Sequence, residues 1–232
     1  MSKLNKDILF LLFENLQDDS KSLFSCLMVN RLWCETVIPI LWRNPWCYNI
    51  RYLKNSSLYY IITFYLTDDI KEFLIRQEIQ IPQISYQQLL FDYLSFCRSI
   101  NIEAINNIIY SGSSLAYNQF LLKQEIYNLI IRKCSELKYL NMESINHLIF
   151  YLLEAKVCLD SLCELVCDTH TDPLYFYGLT RICQNIQRIT IVNTKIDIND
   201  GIVKLIEIQK NLKYFKWEDS DSLDEVYSTK SL

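Results

Sequence analysis

From Asn5 to Leu16 the apolar residues Ile8, Leu9, Leu12, Phe13 and Leu16 recur at helical spacing. Phe10 and Leu11 widen the stripe beyond what one packing face uses, so a helix here has apolar surface for two neighbours at once. Asn5 is a good N-cap, and Asp7 falls in the first turn, where the helix dipole favours negative charge. One of the two neighbours is expected to belong to another protein.

The polar break Gln17-Asp18-Asp19-Ser20 supplies the next cap, and Leu23, Phe24, Leu27 and Met28 then repeat the helical spacing. A third helix is expected near Asn30, carrying Trp33, Val37 and Ile40 or Leu41. Pro39, which has no amide proton, should bend or end it. Three short helices in about 40 residues make a very small core, which usually needs a partner.

These residues carry a family resemblance. Leu4-Asn5-Lys6-Asp7-Ile8-Leu9, then Leu12-Phe13 and Leu16, resemble the opening of an F-box, which typically reads Leu-Pro-x-Glu-Ile-Leu with a spaced Ile-Phe and Leu. Leu23, Cys26 to Val29, Arg31 and Trp33 resemble the closing Leu-x-x-Cys-x-x-Val-Cys-x-x-Trp stretch. Pro39 to Trp46 is similar to an extension in expanded fungal F-box-like families. Asn5 stands where the family has Pro, and Asn30 stands where it has its second Cys; Asn5 can cap the helix that Pro would start.

The resemblance implies an F-box over residues 1–48 that docks on a Skp-type adaptor, and through it on a cullin. Leu4, Ile8, Leu9, Leu12, Phe13 and Leu16 would interlock with the adaptor, and Val29 and Trp33 would bind or brace it. The remainder would hold a target protein near the ubiquitin-transferring enzyme. A related expectation is an F-box-like interaction module that works outside a ligase.

Half of the 232 residues are hydrophobic and 22% are charged, which suits an ordered globular chain. A net charge of −4 provides no general attraction for nucleic acid, because phosphate binding needs a dense Lys/Arg surface. Nine cysteines, an odd number with no secretory signal ahead of them, point to a reducing compartment, cytoplasm or nucleus. The longest later apolar run, Leu58 to Leu66, is far short of the roughly 20 residues that span a bilayer, so no membrane partner is expected. Gly112, Gly178 and Gly201 lie too far apart for a phosphate-cradling loop, and no cofactor is expected.

Residues 49–133 read as a helical connecting region. Leu58 to Gln77 divides into two helices at Thr67-Asp68-Asp69, Pro82 makes Ile79 to Ile84 extended, and Leu89 to Cys97, Glu103 to Tyr110 and Tyr117 to Cys134 carry helical patterns.

In residues 134–217 four segments superpose, beginning at Leu137, Leu159, Ile186 and Leu212, at intervals of 22, 27 and 26 residues. Those intervals suit leucine-rich repeats, with Pro173 to Cys183 and Gly201 to Lys210 as helical returns. The expected fold is therefore mostly α with some α/β: a helical F-box, a helical linker, and an irregular leucine-rich-repeat-like solenoid. Residues 218–232 read as an acidic, flexible tail.

Two chemical alternatives rest on cysteine. Cys158, Cys163, Cys167 and His170 have metal-ligand side chains, but their spacing departs from common zinc motifs, and small buried thiols explain them better. Cys167 with His170 is the pair to test for a cysteine-dependent hydrolase. No oxyanion site or metal centre accompanies it in the sequence, and the chain is expected to bind rather than to catalyse. His147 reads as a packed or surface residue.

Overall fold

A computed structural model of the chain describes residues 5–47, 55–82, 88–145, 147–194 and 199–219. The first three helices are α1 (Lys6–Glu14), α2 (Ser20–Leu27) and α3 (Arg31–Leu41). Each has a side-chain cap: Asn5 accepts from the Asp7 amide, Asp19 from the Ser22 amide and Asn30 from the Trp33 amide. Asn30 is thus the residue that starts α3. Pro39 does not bend this helix away. It lies two residues before the end, where its missing amide costs one bond in the last turn, and Trp42 still donates to the Ile38 carbonyl.

Two further helices, α4 (Asn55–Phe64) and α5 (Asp68–Arg76), lead to a 3-10 turn at Tyr93–Phe96 and the first strand, β1 (Ser99–Asn101). Then come α6 (Ile102–Ile109), α7 (Ala116–Lys133), β2 (Tyr139–Asn141), a 3-10 turn at Ile149–Tyr151 and α8 (Ala155–Leu159). The chain continues through β3 (Glu164–Asp168), α9 (Pro173–Thr180), β4 (Arg188–Asn193), α10 (Asp200–Glu207) and β5 (Tyr214–Asp219).

The five strands form one sheet in chain order, and every pair is parallel. This corrects the expected fold class. The chain is α/β with a five-stranded all-parallel sheet, and among the described residues no leucine-rich-repeat-like solenoid is indicated. The physical reason lies in the crossovers, which are not copies of one unit. The first uses α6 and the 18-residue α7, the second a 3-10 turn and the five-residue α8, and the last two one eight-residue helix each.

The sheet also starts well before Leu137, at Ser99, inside the helical connecting region expected over residues 49–133. The paired column runs Ile100, Leu140, Leu165, Ile189, Phe215, with steps of 40, 25, 24 and 26 residues. In that register Leu162, not Leu159, matches Leu137 and Ile186; Leu159 closes α8 instead.

Ile100, Leu140, Leu165, Cys167, Ile189 and Ile191 are buried on the helix side of the sheet, where they join the helices in one continuous core. Gly178 lets α9 approach this core closely, because the Phe150 ring occupies the space a Cβ would need. At the carboxyl ends of the strands polar residues organise the turns. Asp168 accepts from the Thr171 amide at 2.7 Å and the Ser144 amide at 2.8 Å. Ser144 has φ 58°, a left-handed turn conformation that this bond helps hold. Asn199 caps α10 and also donates to the Thr171 carbonyl at 2.7 Å.

The two outer strands are finished differently. Against β1 lies the segment after α3: Arg98 donates to the Arg43 carbonyl at 2.8 Å, the Ser99 hydroxyl to the Arg43 carbonyl at 3.0 Å, and the Trp46 indole to the Ser99 carbonyl at 2.8 Å. The N-terminal helices are therefore bonded to the sheet rather than tethered to it.

Candidate functional site

Helix α1 sorts its apolar residues onto two faces. Leu9 and Phe13 are buried, and the Phe13 ring meets Trp33 of α3 edge-on at 5.2 Å. On the opposite side Ile8, Leu11 and Leu12, at helical spacing of three and four, remain 49%, 64% and 50% exposed. Arg43 lies over the Phe10 ring at 5.7 Å and pairs with Glu14, fixing the flank of the helix to the segment that covers β1. At the α2–α3 turn Met28 and Val29 are also exposed.

The eight residues expected to meet an adaptor therefore divide by position. Ile8, Leu12 and Val29 are exposed, Leu16 and Trp33 are half-buried against the core, and Leu9 and Phe13 lie inside. Leu4 lies outside the described residues. Trp33 braces α1 from beneath. Leu11 and Met28 were not among those eight, although both are exposed apolar residues. For Leu11 the signal was its position at the edge of the widened stripe; for Met28 nothing in the helical spacing separates it from a core residue.

A second surface is the sheet face turned away from the helices. Its first register row is Tyr139, Glu164, Arg188 and Tyr214 across four strands. The Arg188 guanidinium stacks on the Tyr214 ring at 4.9 Å. Partial burial, and then the neighbouring Glu164 carboxylate, push the Tyr139 phenol up. The next row is Asn141, Val166, Thr190 and Lys216. Two tyrosines and an arginine on this row are of the types enriched at protein-recognition hot spots.

Neither chemical alternative is assembled. Cys167 points into the core column of β3, its thiol pushed up by burial, while His170 is exposed in the turn beyond. Cys158 is buried on the inner side of α8, and Cys163 donates to the Ser161 carbonyl. Among the described residues no group of three or more His, Cys, Asp or Glu side chains is placed to hold a metal ion. His147 is packed, its ring 4.8 Å from Phe120 and 5.3 Å from Tyr127, at an apolar cavity of about 300 Å³ that also includes Leu148 and Leu152. Burial first, and Lys123 second, hold its pKa below the ordinary histidine value. Among the described residues no helix is long and apolar enough to cross a membrane.

No family model matches the chain, and no curated protein matches it.

Proposed function

We propose that this chain is a non-catalytic adaptor: α1 to α3 dock on a Skp-type protein, and the open sheet face holds a target. The observation that carries this reading is the two-faced α1, with Leu9 and Phe13 in the core and Ile8, Leu11 and Leu12 left half or more exposed. An exposed apolar stripe on a helix this short suits insertion between the helices of a partner, and water is a poor long-term neighbour for it. The resemblance of Leu4 to Trp46 to an F-box names the partner class.

Docking at one end and target binding at the other work together only if the two are held in fixed relation. The bonds from Arg43 and Trp46 to β1 favour this, because they leave no flexible joint between α3 and the sheet. A target on the Tyr139–Tyr214 row is then presented at a set distance from whatever the adaptor carries, which raises its effective concentration there.

The test is co-purification with a Skp-type adaptor, with and without a cullin. Capture of both supports a ligase component; capture of the adaptor alone supports an F-box-like module acting outside a ligase. Failure to capture the adaptor contradicts the proposal.

A further inference from the structure

At the other end of the sheet, β5 has no strand beyond it among the described residues. In a parallel ladder a strand bonds each neighbour through alternate residues, and here Tyr214 donates to the Gln187 carbonyl, so the main-chain groups of Phe215 and Trp217 point away from β4. The side chains are open as well. Phe215 continues the buried column of Leu165 and Ile189, and Trp217 continues that of Cys167 and Ile191, yet they are 47% and 51% exposed. An edge of this kind is a template for pairing, and the charges inside β5, Lys216 and Glu218, pair with each other on the opposite face and leave the Phe215–Trp217 side apolar.

We propose that this edge pairs with the same edge of a second copy of the chain, antiparallel across a two-fold axis, with Phe215 of each copy opposite Trp217 of the other. In this register both rings of each copy meet an aromatic ring on the helix side of the joined sheet, the kind of cross-strand pair that stabilises antiparallel strands. Tyr214 lies opposite Glu218, and Lys213 opposite Asp219, so opposite charges meet at both ends. Lys216 meets its own mate at the axis, on the other face, and each is already paired with the Glu218 of its own strand.

The residues that directly follow β5 are a poorer cover. A return strand after a two-residue turn sets Asp224 opposite Trp217, and one after a three-residue turn sets Glu225 there. A four-residue turn sets Ser228 opposite Phe215. Each leaves an aromatic ring facing a polar side chain, whereas self-pairing leaves none. Two six-residue strands with their aromatic side chains bury roughly 1,000 Å², the low end of specific interfaces, so the dimer is weak and depends on concentration.

Sedimentation velocity of the full chain over a concentration series, with amide exchange read at Phe215 and Trp217, tests this independently of any adaptor. The expected result is a monomer–dimer shift, with protection of both amides rising as dimer forms. Trp217→Lys, checked for retained fold by circular dichroism, abolishes the shift. Lys216→Thr removes the like-charge meeting and tightens the dimer about threefold. A monomer at every concentration overturns the proposal, and so does amide protection that is independent of concentration, which places the chain's own residues over the edge. Weaker association of Lys216→Thr also overturns it, since Lys216 then lies opposite Glu218 and the register is wrong.

Discussion

The indole nitrogen of Trp46 donates a 2.8 Å hydrogen bond to the carbonyl of Ser99, and with it the segment after α3 takes the place of a missing sixth strand. The Ser99 hydroxyl returns the contact, its one proton shared between the Arg43 carbonyl and the Asn44 side-chain oxygen. Three short helices that could not hold a core alone are thereby completed by the sheet.

Trp46→Phe keeps an aromatic ring but leaves the Ser99 carbonyl without the indole. Stability should fall by about 1–2 kcal/mol, the usual loss for one buried hydrogen bond. Urea denaturation measures it; a midpoint equal to the wild type would mean that the sheet edge does not depend on this segment.

The two faces of α1 should respond differently to substitution. Phe13→Ala removes a buried ring and its contact with Trp33, and should cost about 3–5 kcal/mol. Ile8→Asp and Leu12→Asp, on the open face, should each change stability by no more than about 0.5 kcal/mol. Thermal unfolding of the three variants compares them directly, and equal losses would show that the open face is packed in solution.

Asp168 holds two turns through its two carboxylate oxygens. Asp168→Ala strips acceptors from the Ser144 and Thr171 amides and should cost about 3 kcal/mol. Asp168→Asn keeps one acceptor and should fall between. Proteolysis at the Glu143–Ser144 turn, faster in the alanine variant than in the asparagine variant, would report the same ordering locally.

His147 gives the stability a pH dependence of known sign. Its folded pKa lies below the unfolded value of 6.5, because burial and Lys123 disfavour the imidazolium. The folded state therefore takes up its proton later than the unfolded chain does. The contribution is complete above the unfolded value and is lost as pH falls through the folded one. Unfolding free energy should decline as pH falls below the unfolded value, and His147→Phe should flatten that decline. A slope unchanged in the variant would assign the effect to other groups.

The helices were legible where apolar spacing and caps agreed. Asn5, Asp19 and Asn30 mark three helix starts, and Pro173 and Gly201 fall at or within one residue of two more, because helix starts are local events written in a few adjacent residues. The sheet was only partly legible. Leu140, Ile189 and Phe215 stand out as strand residues, but β1 has just three residues and is separated from β2 by α6 and α7, so no local pattern announces that Ile100 lies beside Leu140. Leu159 resembles the start of a repeated segment because it stands three residues before Leu162, just as Leu137 stands three before Leu140, yet it closes α8. The division of α1 into an inner pair, Leu9 and Phe13, and an outer trio, Ile8, Leu11 and Leu12, is set by where α3 lies. That is a tertiary fact, which the width of the stripe indicated but could not orient.

The central claim is that the exposed apolar face of α1 belongs to an adaptor. Calorimetric titration of a Skp-type adaptor into the wild-type chain and into a folded Ile8→Asp/Leu12→Asp variant tests it most directly. The account predicts saturable binding that weakens by at least about a hundredfold in the variant, as expected when two buried anchors of an interface become charged. Equal affinity for both proteins, or no binding by the wild type, would contradict it.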